Sequence, residues 1–294
     1  MSKYNYMLIT PAYNEEENIA ILIKSVLKQT IKPIKWIIVN DGSTDNTKNI
    51  VEKYAKEHDF IECVSLDRSK VITYYSRRVD VVIEGFNYIE SLNINYEYFG
   101  VVDADMELIS EDYYSGLIDK FISNPKLGVT AGIYYYIVNG QKTKVLKDLS
   151  STPGSIQFFR LECYKQIGGY VPLELGGDDS LCDIKARMLG WKTQSYPKFE
   201  TIQHRTVGTG DRGIISAKFR QGLSDYNIGT DWLFMTFKCL RRSLLEKPYI
   251  LSGLFRLIGF YWGKLSRKKL IITPEIIKFV KREQRHRLKK VFKP

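Results

Sequence analysis

The chain has 294 residues, 44% hydrophobic and 26% charged, the balance of an ordinary globular protein; this excludes a disordered chain and leaves room for one large domain, alone or with an appendage. Its net charge of +11 is unevenly placed: residues 238–294 hold 17 Lys and Arg against three Glu, a net +14 that leaves −3 for residues 1–237. Cys63, Cys163, Cys182 and Cys239 lack metal-ligand spacing, residues 1–6 hold no apolar signal core, and no apolar run reaches the roughly 20 residues of a membrane span, so a cytoplasmic chain with reduced thiols is expected.

Residues 6–10, Tyr-Met-Leu-Ile-Thr, read as a buried first strand, and Pro11-Ala-Tyr-Asn-Glu15 as the turn after it. Ile19, Leu22, Ile23, Val26 and Leu27 then fall at helical spacing. The unit repeats: Trp36-Ile-Ile-Val39 ends in Asn40-Asp-Gly-Ser-Thr-Asp45 before a helix carrying Ile50, Val51, Tyr54 and Ala55. Asp41-Gly42 supplies a tight turn, and Ser43, Thr44 or Asp45 a helix cap. A third strand is expected at 61–66, then a helix with Val79, Val82, Ile83, Phe86 and Ile89 on one face. This alternation predicts an α/β fold with a Rossmann-like, mostly parallel sheet and helices on both faces. Ligands of such sheets gather beyond the carboxyl ends of the strands.

Residues 98–106, Tyr-Phe-Gly-Val-Val-Asp-Ala-Asp-Met, are the next expected strand. It delivers Asp103 and Asp105 to its carboxyl end, where two close carboxylates repel unless a cation or a base offsets them. Hard oxygens suit Mg²⁺ or Mn²⁺. Asp-x-Asp is also an ordinary solvated turn at a strand end. Together with 11–16 and 41–45, it would place three acidic loops on one rim.

A helix is expected to about 123, then a Tyr-rich strand at 127–138, with Asn139-Gly140 as a hairpin turn and a return through 149. A short strand follows at 156–159. Gly177-Asp178-Asp179 opens a helix ending at Gly190-Trp191, the two aspartates being either caps favoured by the helix dipole or site carboxylates. Residues 198–204 predict a final strand ending at His204, a structural histidine or a ligand. Gly208 and Gly210 mark 205–212 as a candidate lid. Helices are expected at 217–227, 232–242 and 274–292, with an aromatic stretch at 249–262.

Taken together, Pro11-Ala-Tyr-Asn-Glu15, Asp41-Gly-Ser-Thr-Asp45, Asp103-Ala-Asp105, Gly177-Asp-Asp179 and the helix ending Gly190-Trp191 resemble the family 2 glycosyltransferases of the GT-A fold, in order and spacing over residues 5–205. Arg220-Gln-Gly222, Lys247-Pro-Tyr249 and Gly259-Phe-Tyr-Trp262 look like the tail of members that build bacterial or archaeal surface polysaccharides. The resemblance implies a catalytic domain over 1–212, with a nucleotide-sugar half at 1–106 and an acceptor half at 107–212, and a basic helical extension over 213–294. It implies transfer of a sugar, usually with inversion, from a nucleotide diphosphate donor, most commonly UDP-linked, to a glycan or lipid-linked acceptor. Mg²⁺ or Mn²⁺ is the implied cofactor.

By the same matching, Pro11, Ala12, Tyr13 and Glu15 line the base and ribose pocket and Asp41 reads the nucleobase. Asp105 holds the metal, Asp103 contacts metal or ribose, and His204 lies where some members place a metal or diphosphate ligand. Asp179 matches the family's catalytic base; its neighbour is usually Glu and here is Asp178. Arg68, Lys70, Arg77 and Arg78 compete to face the diphosphate.

Other readings fit less of the chain. A nucleotidyltransferase would carry a Gly-rich basic loop after the first strand, where this chain has the acidic Pro11-Ala-Tyr-Asn-Glu-Glu16. A nucleic-acid or scaffold protein acting through the basic tail would leave the acidic motifs unexplained, so nucleic acid is not the expected partner. The tail sets Tyr249, Phe255, Phe260, Tyr261 and Trp262 beside a basic last helix, which suits the interface of an anionic membrane, each basic residue contributing about 1 kcal/mol there. Peripheral attachment to the inner face of the cell membrane is therefore expected; the plainer alternative packs 249–262 on the catalytic domain beneath a solvated basic face.

Overall fold

The computed structural model describes residues 4–67, 74–138, 141–145, 148–205, 213–266 and 270–291. Strands and helices alternate at first: β1 (Tyr6–Ala12), α1 (Ile19–Leu27), β2 (Lys35–Asn40), α2 (Thr47–Glu57), β3 (Ile61–Ser65), α3 (Tyr74–Ser91) and β4 (Tyr98–Val101). The strands pair in parallel in the order β3-β2-β1-β4. Successive strand residues point to opposite faces. Leu8, Trp36, Ile38 and Tyr98 meet Leu22 and Val26 of α1 and Val51 of α2 on one face. Met7, Ile9, Ile37, Val39 and Phe99 meet Val79, Val82 and Ile89 of α3 on the other. Both faces are covered, as a parallel sheet requires.

The strand expected over 98–106 is split. The Met106 amide donates to the Asp103 carbonyl at 3.1 Å, closing a turn around Ala104, and the chain resumes as β5 (Met106–Leu108). Next come α4 (Tyr113–Ser123), β6 (Leu127–Val138), β7 (Gln141–Lys144), a 3-10 turn at Gly154–Ile156, β8 (Phe158–Arg160), α5 (Leu161–Gln166), α6 (Asp178–Met188) and β9 (Lys192–Gln203). β8 lies between β4 and β6, antiparallel to both, while β9 runs parallel to β6 and antiparallel to β5. This half of the sheet is therefore mixed.

Two expected strands change length. Ile156 belongs to the 3-10 turn, its amide bonded to the Pro153 carbonyl, so β8 starts at Phe158. β9 begins at Lys192 rather than 198, following β6 through two shifts of register. Asn139-Gly140 and most of the candidate lid, 206–212, lie outside the described residues.

Beyond the sheet are α7 (Gly213–Asn227), α8 (Trp232–Leu245), α9 (Leu251–Leu265) and α10 (Pro274–Val291). α7 and α9 cross so closely that a Cβ on Gly222 would stand 2.0 Å from the Arg256 carbonyl oxygen. Beside this crossing the buried Asp225 accepts from Lys238 at 2.6 Å and Arg256 at 2.8 Å. α10 packs on α6: Val280 shares a cluster with Leu181 and Ile184, and Arg187 holds Glu283 with two bonds of 2.7 and 3.0 Å.

Candidate active site

The loops after β1, β2 and β4 leave neighbouring parallel strands from the same end, so topology alone sets them side by side. The first two are knitted together. The Asp41 amide donates to the Ala12 carbonyl at 2.8 Å, the Glu15 amide to Thr47 Oγ1 at 2.7 Å, and the Asn14 amide to Ser43 Oγ at 3.1 Å. Of the three capping candidates, Asp45 turns back on α2, accepting from the Thr47 amide at 3.0 Å. Tyr13 stays partly exposed at the edge of this loop.

The arginines settle into distinct places. Arg77 donates through Nε to Asp41 Oδ1 at 2.9 Å, and its Nη2 pairs with the same oxygen. Arg78 donates to Asp103 Oδ1 at 2.9 and 2.7 Å and to the Gly154 carbonyl at 2.8 Å, and reaches Asp178 Oδ2 at 3.5 Å. One guanidinium thus ties the strand-end motif to the first turn of α6. Burial would lower the Arg78 pKa, but Asp103 and Asp178 raise it further than burial depresses it. Arg68 and Lys70 lie outside the described residues.

Asp105 is buried and accepts from Gln203 Nε2 at 3.0 Å. Burial, reinforced by Asp103, pushes its carboxyl up to about 6. Burial likewise pushes Glu15 up to about 7, against the Asn18 amide and Arg205, with Asp105 and Asp103 adding to the rise. Arg205 pairs with Glu15 at 2.9 Å and donates to the Asn14 carbonyl at 3.2 Å. The His204 amide donates to the Asp105 carbonyl at 2.9 Å, while its ring meets Glu107 at 2.8 Å.

Asp178 and Asp179 open α6 after Gly177, whose φ of 100° suits glycine. Burial pushes Asp178 up to about 6, against Arg78 and with Asp179 adding to the rise. Asp179 accepts from the Gly154 amide at 3.1 Å and the Ser180 amide at 2.7 Å. One turn on, the buried Asp183 accepts from the Thr152 amide at 2.7 Å and hydroxyl at 2.6 Å, fixing the segment that presents Gly154. Asn227 of α7 donates to the Gly176 carbonyl at 3.1 Å and steadies the turn from behind.

These supports were not singled out in the sequence. Asp183 had a usable signal, four residues beyond Asp179 on the same helix face. Gly154 and Asn227 had none, because their partners are remote in the chain.

Glu15, Asp41, Asp103, Asp105, Asp178 and Asp179 thus sit among Arg77, Arg78 and Arg205, a surplus of negative charge in which burial raises the carboxyls of Glu15, Asp105 and Asp178. Their hard oxygens fit a divalent cation. Among the described residues no three His, Cys, Asp or Glu side chains converge as a closed metal cage, so other ligands would come from diphosphate oxygens and water.

The profile of Glycosyl transferase family 2 matches residues 7–171. The poly-beta-1,6-N-acetyl-D-glucosamine synthase of Staphylococcus epidermidis is 34% identical over 120 residues, and that of Staphylococcus aureus strain COL 30%. Each match takes in 41% of this chain and 26% of the relative, so the chain aligns with about a quarter of those proteins.

Among solved structures, the mannosyltransferase PcManGT from Pyrobaculum calidifontis, in complex with GDP-Man and Mn²⁺, is similar with a TM-score of 0.57 at 16% identity, covering 99% of this chain and 81% of that one. Staphylococcus aureus TarS 1-349 in complex with UDP-GlcNAc gives 0.53 at 16%, covering 94% and 78%. At such identities the likeness is one of fold, and both are glycosyltransferase folds of the GT-A kind.

Proposed function

The chain belongs to glycosyl transferase family 2, and on that premise we propose that it moves a sugar from a nucleotide diphosphate sugar, UDP-linked, to a hydroxyl of a glycan or lipid-linked acceptor, with inversion. The observation that carries this reading is the meeting of Asp103 and Asp178 on Arg78, which joins a donor-side motif to an acceptor-side motif.

In this reading residues 1–106 take the nucleotide sugar, 107–212 the acceptor, and 213–294 form the extension. Pro11, Ala12, Tyr13 and Glu15 line the base and ribose pocket. Asp41 accepts from the nucleobase edge, with Arg77 beside it as a donor. Asp105 and Asp103 would hold Mg²⁺ or Mn²⁺, with diphosphate oxygens and water as its other ligands and His204 toward the metal or the diphosphate, and the ion when bound supplies Lewis acidity to the departing diphosphate.

Asp179 removes the proton of the acceptor hydroxyl as its oxygen bonds to the anomeric carbon, and the bond to the diphosphate breaks with its electron pair on the leaving oxygen. The tie between Asp178 and Arg78 supports this division, leaving Asp178 to hold the turn and Asp179 to act. A cytoplasmic enzyme attached peripherally to an anionic membrane would meet a lipid-linked acceptor where it lies.

The test is calorimetric titration of the chain with UDP, GDP and dTDP, with and without Mn²⁺. Binding of UDP that needs Mn²⁺ is the expected result. Preference for GDP or dTDP would move the donor to sugars carried on that base, and no binding of any nucleotide would overturn the reading.

A further inference from the structure

α8 and α9 form a hairpin. The Ile250 amide donates to the Ser243 carbonyl at 2.8 Å, and a Cβ on Gly253 would stand 2.3 Å from the Cys239 carbonyl oxygen. Their inner sides are buried, Met235 and Cys239 of α8 clustering with Phe260 of α9, Gly253 lying against Cys239, and Arg256 turned to Asp225 of α7. The outer side of each helix is apolar and exposed. α8 exposes Leu233, Phe237, Leu240 and Leu244, the last at 76%, and α9 exposes Leu254, Ile258, Trp262 and Leu265, the last at 78%. Both rows keep the three- and four-residue spacing of one helix face. Exposed leucines scattered singly are ordinary, whereas helix-long rows mark a surface with a partner.

A cationic face adjoins them. Arg285 of α10 donates to Asp231 Oδ2 at 2.9 Å, and Gln284 accepts from the Asp231 amide at 2.7 Å, so α10 grips the N-cap of α8 just before the exposed Trp232. Lys278, Lys281, Arg282, Arg285 and Lys289 line an open groove of about 690 Å³ along α10. The acids of α10 are Glu275 and Glu283, and Glu283 is taken by Arg187. Among the described residues no helix is long and apolar enough to cross a membrane.

We propose that the α8–α9 hairpin is the element that enters an anionic bilayer, its leucine rows among the acyl chains and the α10 cations against lipid phosphates. Charge selects this occupant. A second copy would press together two extensions of net +14, and a polyanion such as nucleic acid would leave the leucines bare. The hairpin is also tied to the acidic rim through α7, which crosses α9 at Gly222 and donates from Asn227 to the Gly176 carbonyl at 3.1 Å, two residues before Asp178. Insertion would therefore seat the candidate active site at the lipid surface, and the link to a lipid-borne acceptor rests on the proposed function.

The experiment is flotation of the full chain with vesicles of phosphatidylcholine, with and without phosphatidylglycerol, at low and high salt. Binding to the anionic vesicles is expected. Leu240→Glu with Ile258→Glu should cut partitioning about tenfold or more at either salt, by removing buried apolar area. Lys281→Glu with Arg282→Glu should remove the preference for phosphatidylglycerol and its salt dependence.

An unbound wild type at low salt, or a leucine variant that floats like wild type, overturns the proposal. So does a stable dimer that the leucine variant dissociates without any vesicle binding, which would give the face to a second copy. Titration of each variant with UDP and Mn²⁺ reports the fold and keeps the two readings separate, since wild-type chain that floats without binding nucleotide overturns only the transferase.

Discussion

At the scale of single residues, two aspartates adjacent in sequence have different neighbours. Asp178 is drawn to Arg78, and Asp179 accepts two backbone amides that aim its carboxylate. A general base contributes about 10²- to 10⁴-fold, so Asp179→Asn is expected to lower transfer by that range while UDP affinity, read by calorimetry, holds near wild type. Unchanged transfer would falsify its role as base. Arg78 is a positioning residue: Arg78→Ala leaves Asp103 and Asp178 facing each other across the gap. Its expected cost is on the order of 2 kcal/mol in thermal unfolding, after allowance for partial exposure, together with weaker donor binding. Arg78→Lys should recover part of both, because a charge remains but the fork does not. Equal effects of Lys and Ala would show that charge at this point is irrelevant.

At the scale of elements, the sequence pattern placed α1, α2, α3, α4, α6, α7, α8 and α10, each with its own stripe of apolar residues, whereas α9 read only as an aromatic stretch. What the pattern does not show is how α7, α8 and α9 are held together, by a buried ion cluster and by close backbone contact at Gly222. Asp225 is lowered to about 2: Arg256 and Lys238 overcome a burial that would raise it. A carboxyl lowered by folding contributes stability that is fully present above its ordinary value of 3.8 and is lost as the pH falls through about 2. Asp225→Asn should cost about 3 kcal/mol or more at neutral pH, since it strands two buried cations. Its acid unfolding, followed by circular dichroism, should lack the pH-dependent segment between those values. A wild-type-like acid profile would show that the cluster does not report on Asp225.

At the scale of the whole molecule, the basic extension is bound to the acidic sheet domain through α10. Val280 packs with Leu173, Leu181 and Ile184, and Glu283 and Arg287 reach Arg187 and Asp148. A chain ending at residue 273 uncovers the helix that carries Asp178 and Asp179. Its thermal midpoint is expected to fall by several degrees or more in calorimetry, with transfer to a soluble acceptor falling as well, whatever the membrane does. An unshifted midpoint would make α10 a dispensable appendage. By itself the sequence determined the order of strands and helices and the three acidic loops on one rim, because hydrophobic period and turn residues act over a few neighbours and parallel topology then aligns strand ends. It also named Arg77 and Arg78 without assigning them, and located the positive charge without dividing it between packing and exposure. Tertiary structure alone decided that Arg77 meets Asp41, that Arg78 spans Asp103 and Asp178, and that the leucine rows of α8 and α9 stay outside. Those outcomes depend on contacts between segments tens of residues apart, and no local pattern encodes them.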